Sequence, residues 1–170
     1  MSTTTALPDL AADSSLRHGK YLTFALDREE YGLEILKVRE IIGYMDITSV
    51  PQLPSYVKGV VNLRGQVIPV IDLRTKFKMP PADVTEQTCI IVVETTQNSK
   101  TWITGIVVDS VCEVLDISPG EIEQTPQFGS DVNTDFILGI GKIGQSVKTL
   151  LDIDKVLQSV DIRQIAGDQL

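Results

Sequence analysis

Val57-Lys58-Gly59-Val60-Val61-Asn62-Leu63-Arg64-Gly65-Gln66-Val67-Ile68-Pro69-Val70-Ile71-Asp72-Leu73-Arg74 is the stretch on which the fold turns. Val57 to Leu63 reads as a strand, Arg64-Gly65 as a tight turn, and Val67 to Ile71 as the returning strand. Asp72 is placed to cap a short helix, Asp72 to Phe77. Pro80-Pro81 closes this half of the chain.

Upstream, Leu22, Phe24 and Leu26 share one face of a strand, and Tyr31, Leu33 and Ile35 share one face of its returning partner across the turn Asp27-Arg28-Glu29-Glu30. Val38, Ile41 and Ile42 fall at helical spacing. They predict a short helical turn, Lys37 to Ile42, stopped by Gly43. Pro51 and Pro54 bracket a loop. Downstream, Cys89 to Glu94 and Trp102 to Val108 are apolar runs, and the polar stretch Thr95 to Lys100 between them predicts a longer loop. Val111 to Ile117 is another strand, followed by the turn Ser118-Pro119-Gly120. Phe136 to Ile143 and Val147 to Ile153 form a further hairpin, and Asp154 to Ile165 reads as a short closing helix. Residues 1–18, rich in Ser, Thr, Ala and Asp, read as a disordered tail.

Residues 59–77 align without gaps on 139–157. Gly59, Val67 and Asp72 match Gly139, Val147 and Asp152. Each block is a hairpin followed by a short helix, which predicts two similar small barrels. Many short strands without long helices must close their sheets or pair their edges.

Composition bounds the chemistry. The chain has 170 residues and a net charge of -8, with no basic run. That balance is opposite to a nucleic-acid binder. No stretch approaches a membrane span, and residues 1–20 hold no apolar core of signal-peptide length, which predicts a cytoplasmic chain. The single histidine, His18, falls in the predicted tail, so histidine-based nucleophilic sites lack their base. Cys89 and Cys112 are not in metal-ligand spacing and read as reduced, buried thiols. No metal or other cofactor is expected. Gly139-Ile140-Gly141-Lys142-Ile143-Gly144 matches a dinucleotide-binding pattern, but the following residues read as strand rather than helix, so its glycines serve tight turning and close packing. The acids Glu113, Asp116, Glu121 and Glu123 read as a solvated face.

The Gly59 to Leu73 run, G-x-x-N-L-R-G-x-x-x-P-x-x-D-L, resembles the CheW family. So do Glu30 to Ile41, and Gly105-Ile106-Val107-Val108-Asp109 followed by Val111 and Val114. The resemblance covers residues 20 to 160 and implies two SH3-like five-stranded β-barrels packed together, with short helices. A CheW-like domain is expected over residues 19–160, with a C-terminal tail at 161–170. The resemblance also implies a non-enzymatic chemotaxis adaptor that couples chemoreceptor cytoplasmic tips to the regulatory domain of the histidine kinase CheA. Such an adaptor is monomeric when isolated and is recruited to membrane receptor arrays without inserting in the membrane.

By resemblance, Val38, Glu40, Gly59 and Arg64 face the receptor, and Cys89, Ile90 and Val108 line the same groove. Cysteine at 89 departs from the aliphatic residue expected there. Ile41, Gly43 and Tyr44 are assigned to the kinase. For Val38 an ordinary core position is the competing reading, and for Arg64 a structural salt bridge. A scaffold of a non-flagellar pathway (pilus or regulatory) is one alternative. A small-ligand-binding β-barrel, marked by a deep polar-lined pocket, is another.

Overall fold

The stretch around Arg64 folds as a hairpin in a computed structural model that describes residues 19–124 and 135–158. Strand β4 (Val57–Leu63) turns through Arg64-Gly65 into β5 (Gln66–Asp72). Helix α1 (Leu73–Lys76) follows at once. Asp72 caps it, its carboxylate accepting from the Arg74 amide at 3.1 Å. The expected tails at 1–18 and 161–170, His18, and the closing helix past Gln158 lie outside the described residues.

The other strands are β1 (Lys20–Leu26), β2 (Glu29–Glu34), β3 (Val38–Gly43), β6 (Cys89–Gln97), β7 (Lys100–Val108), β8 (Ser110–Asp116), β9 (Ile122–Glu123), β10 (Ile137–Ile143) and β11 (Ser146–Leu151). Helix α2 (Ile153–Gln158) ends the described chain. The first sheet has the order β3-β6-β7-β5-β4, and the second β8-β1-β2-β11-β10-β9. The expected mostly-β fold of two small units is therefore what forms. The second sheet counts six strands rather than five because the two-residue β9 pairs with β10.

Two expectations are corrected. Lys37 to Ile42 is not helical: a 3-10 turn covers Ile35–Lys37, and β3 begins at Val38. Its pairing with β6 shifts register between Val38 and Glu40, a β-bulge. The extra residue places Val38 and Ile41 on one face three positions apart, which imitates a helical period. The connection of β6 to β7 is also tighter than predicted. The strands run on to Gln97 and Lys100, and only Asn98 and Ser99 turn, both with positive φ. That is the two-residue hairpin geometry favoured by strand twist.

The repeat seen at 59–77 and 139–157 extends further in three dimensions. Residues 32–45 align without gaps on 105–118, with Gly32, Val38 and Glu40 on Gly105, Val111 and Glu113. The parallel pairings match as well: Val70 lies beside Gly105 and Leu150 beside Gly32. Each half of the chain is thus a hairpin, a bulged strand, a second hairpin and a helix. The first hairpin of each half sits in the other half's sheet: β1-β2 between β8 and β11, and β6-β7 between β3 and β5.

Closure of each barrel explains two glycines. Past β3, Thr48 bridges Val60 with reciprocal backbone bonds of 2.9 Å, and past β8, Glu123 pairs with Ile140. A Cβ on Gly59 would collide with the Thr48 carbonyl oxygen, and one on Gly139 would lie 2.7 Å from the Ile122 side chain. Gly59 also has φ +144°, a conformation open to glycine.

Three apolar cores result. Ile42, Val61, Ile68, Val70, Ile90, Val92 and Val107 fill the first barrel. Tyr21, Ile117 and Leu150 fill the second. The largest cluster lies between the barrels and draws on both, including Phe24, Leu33, Ile71, Ile91, Ile106, Leu151 and Val156. Each large side chain buried there contributes roughly 1.5–3 kcal/mol.

Candidate functional site

At one end of β3, Arg64 reaches across from the β4–β5 turn to Glu40. Its guanidinium donates to both carboxylate oxygens, at 2.6 and 2.7 Å. This two-pronged geometry orients the arginine as well as holding it. The Glu40 side chain is only 14% exposed, whereas that of Arg64 is 64% exposed. The guanidinium holds the Glu40 carboxyl below its ordinary range. Beneath the pair lies a groove of about 180 Å³, walled by Leu63, Ile68, Val92 and Ile103 and rimmed by Arg39 and Gln66. Arg39 is itself paired to Glu94 at 2.8 Å.

Arg64 holds φ at +54°. Such backbone is unfavourable for a residue with a Cβ. The equivalent turn position in the second barrel is Gly144, at φ +59°. One repeat therefore puts glycine where the turn calls for it, and the other keeps a long cation there. Positive φ alone is a turn property shared with Asp27, Gln52, Lys78, Asn98 and Ser99; what sets Arg64 apart is a cation that is paired and still leaves most of its side chain in solvent.

The structure divides the expected receptor set. Val38, Glu40 and Arg64 lie toward one end of β3 and Gly43 at the other, about 10 Å from Glu40 at the usual strand rise. Cys89 pairs directly with Gly43 on one side and with Val108 on the other. These two receptor candidates thus adjoin a kinase candidate instead of Arg64. Ile90 is 0% exposed inside the first barrel, and Val108 is 1% exposed between the barrels. Both shape the wall and present no surface. Val38 and Ile41 are core residues of the inter-barrel layer, so the core reading of Val38 holds. Gly59 is spent on barrel closure. At the kinase end, a Cβ added to Gly43 would meet nothing within 4 Å. Tyr44 is half-buried beside the first barrel's core, with the Lys58 ammonium 5.9 Å from its ring centre. These two residues are the accessible part of that set.

Both thiols are free, but neither is buried as expected: Cys89 is half-buried and Cys112 exposed. It occupies the bulge of β8, as Arg39 does in β3, and the bulge turns it outward. Burial raises both thiols above their ordinary pKa, with Glu30 adding to the effect at Cys112. They are therefore poor nucleophiles at neutral pH.

Sequence reasoning missed a second polar cluster. Arg74 on α1 donates to both oxygens of Asp109, at 2.8 and 2.6 Å, and to the Pro80 carbonyl at 2.8 Å. Asp109 also accepts from the Asp27 amide at 2.7 Å. Arg74 directly follows the family-like Gly59–Leu73 run and Asp109 ends the Gly105–Asp109 motif, but their pairing across 35 positions carries no local signal. Of the dinucleotide-like glycines, Gly139 and Gly141 lie in β10 and Gly144 in the turn that leads into β11, not into a helix. A hollow of about 340 Å³ near Tyr21, Leu36 and Ile122 has Lys20 and Asp116 in its wall, and these satisfy each other at 2.9 Å. It lacks the convergent unpaired groups of a ligand site. Among the described residues, no group of acids, cysteines or histidines is arranged to hold a metal ion. No described helix is long and apolar enough to cross a membrane.

Comparison with known proteins agrees with the geometry. Residues 20–161 match the family described as CheW-like domain. The chain is 40% identical to the chemotaxis protein CheW of Klebsiella aerogenes over 143 residues, 84% of each chain. It is 27% identical to protein FrzA of Myxococcus xanthus over 94% of this chain and 98% of that one. The crystal structure of the scaffolding protein TtCheW from Thermoanaerobacter tengcongensis superposes with a TM-score of 0.73 at 32% identity. The match covers 82% of this chain and 92% of that one.

Proposed function

The chain belongs to the CheW family, a family of chemotaxis scaffolds and not of enzymes, and from that premise we propose that it joins chemoreceptor tips to the regulatory domain of CheA. The receptor docks at the Arg64–Glu40 end of the first barrel. Arg64 supplies the exposed cation, and the half-buried Leu63 and Ile103, resting on the core residues Ile68 and Val92, supply an apolar floor. Val38, Gly59, Cys89, Ile90 and Val108 act by setting the shape of that barrel. The kinase docks at the Gly43–Tyr44 end, with Ile41 fixing the strand from behind. The protein works in the cytoplasm as a monomer recruited to receptor arrays, and it needs neither nucleic acid nor a bound cofactor.

The observation that carries this reading is the left-handed arginine. Its cation is anchored by the two-pronged pair with Glu40 yet left 64% exposed, in a turn that the second barrel closes with glycine. The test is co-sedimentation with a receptor signalling fragment and, separately, with the kinase regulatory domain. Arg64→Asp and Arg64→Gly should both weaken receptor capture about tenfold or more, while kinase-domain capture and circular dichroism stay as in the parent. Arg64→Gly relieves the turn but also removes the partner of Glu40, so its urea midpoint should change little. Undiminished receptor capture by both variants would remove Arg64 from the interface. A scaffold of a non-flagellar chemosensory pathway is the second reading. It is kept by the likeness to FrzA, a relative not named as a chemotaxis protein, and the receptors captured from the native cell separate the two.

A further inference from the structure

The two halves of the chain, residues 20–77 and 89–158, are joined covalently only through residues 78–88, which include Pro80 and Pro81. Neither half completes a barrel by itself, because each lends its first hairpin to the other. Recognition between halves is therefore a binding problem solved inside one molecule. Shape does not solve it, since the halves share one plan and a half has the outline to pair with its own kind.

Charge distinguishes them. Helix α1 of the first half carries Arg74, which grips Asp109 at the β7–β8 crossover of the second half. Helix α2 of the second half carries Asp154, which grips Lys37 at the β2–β3 crossover of the first half, at 2.6 Å. Asp154 also accepts from the Thr96 amide at 3.2 Å. In the repeat alignment Arg74 and Asp154 are equivalent, while Lys37 and Asp109 stand at adjacent positions of the equivalent crossovers. The polarity is reversed between the two latches. Both latch groups of the first half are basic, and both of the second half are acidic.

We propose that these two latches are a recognition code between the halves: basic half with acidic half is accepted, and like with like is rejected. If two first halves paired, Arg74 would face Lys37 twice. If two second halves paired, Asp154 would face Asp109 twice. Like charges so placed, with the four side chains only 13–31% exposed in the native pairs, oppose association more strongly than they would in open water. The code predicts what a second copy of this chain can do. Two copies can pair only by exchanging opposite halves, with residues 78–88 as the strand between them.

The test rewrites the code in the full-length chain. One variant, Lys37→Glu with Arg74→Glu, has two acidic halves. The other, Asp109→Lys with Asp154→Lys, has two basic halves. Each alone should unfold at lower urea than the parent. Mixed in denaturant and refolded together, they should be recovered as a 1:1 heterodimer of twice the 18.7 kDa chain mass, in about tenfold excess over either homodimer. Recovery of unassociated chains, a statistical mixture of dimers, or aggregation no less than that of each chain alone would overturn the code. A gentler pair of chains covers the case of poor folding. Lys37→Glu should lower the urea midpoint, and adding Asp154→Lys should restore more than half of the loss in a monomer. No restoration would count equally against the proposal.

Discussion

Arg64 and Gly59 sit five positions apart on one hairpin and illustrate opposite kinds of necessity. Arg64 is anchored through Glu40 alone and keeps most of its side chain in solvent, so its loss is expected to be felt in binding. Gly59 is in place structurally, with backbone from the closing segment pressed against its α-carbon. Gly59→Ala forces a methyl group into the Thr48 carbonyl at a positive φ, and should destabilise the fold by about 3 kcal/mol. A urea titration checks this; a loss under about 0.5 kcal/mol would show that the closing segment moves aside freely. Failure of a Gly59 variant to couple receptor and kinase therefore reports on the barrel before it reports on a contact. The same contrast marks what was legible in sequence. Gly59 and Arg64 stood out because glycine and a turn-borne arginine have local meaning. Glu40 gave no local sign of its partner, which lies 24 positions away, and Arg74 gave none of Asp109.

At the scale of elements, strands with one apolar face were easy to read and strands with irregular pairing were not. The β4–β5 hairpin was plain because its turn is tight and its flanks are apolar. Strand β3 was misread as helical because its bulge shifts the alternation. The ends of β6 and β7 were misread as loop because Thr95, Thr96 and Thr101 look polar, although β-branched threonine suits a strand. Thr95 and Thr104 are in fact buried, at 1% and 0% exposure. Their hydroxyls have no hydrogen-bond partner among the described atoms. Thr104 lies opposite Val93, and its face of β7 also carries Trp102 and Ile106, which line the inter-barrel core. A buried hydroxyl without a partner costs free energy that an isosteric methyl does not. Thr104→Val should therefore raise stability by about 1 kcal/mol. An equal or lower unfolding midpoint would mean that an ordered water or the strand backbone satisfies the hydroxyl.

At the scale of the molecule, two barrels that share hairpins cannot unfold one at a time, so what loosens one latch is felt throughout. Acid is the natural probe. The Arg74 guanidinium, aided by the Asp27 amide, holds the Asp109 carboxyl below the ordinary carboxylate range, and Arg64 does the same for Glu40. A carboxyl whose pKa is lower folded than unfolded stabilises the fold fully above its unfolded value of about 4, and loses that contribution as pH falls through the folded value. Lys37 is shifted the other way: its hydrogen bond to Asp154 raises it, so its contribution fades only in strong alkali, as pH rises through the folded value. Both latches should then be intact from about pH 5 to 9, and the urea midpoint should be nearly flat across that window. Below about pH 4 it should fall progressively as Asp109 and Glu40 take protons. Asp109→Asn should lower the neutral plateau and make the acid fall shallower, so that the parent and variant curves converge at low pH. Curves that stay parallel down to about pH 2 would show that the Arg74–Asp109 latch adds nothing that protonation can remove, and that the halves are held together by their shared apolar layer alone.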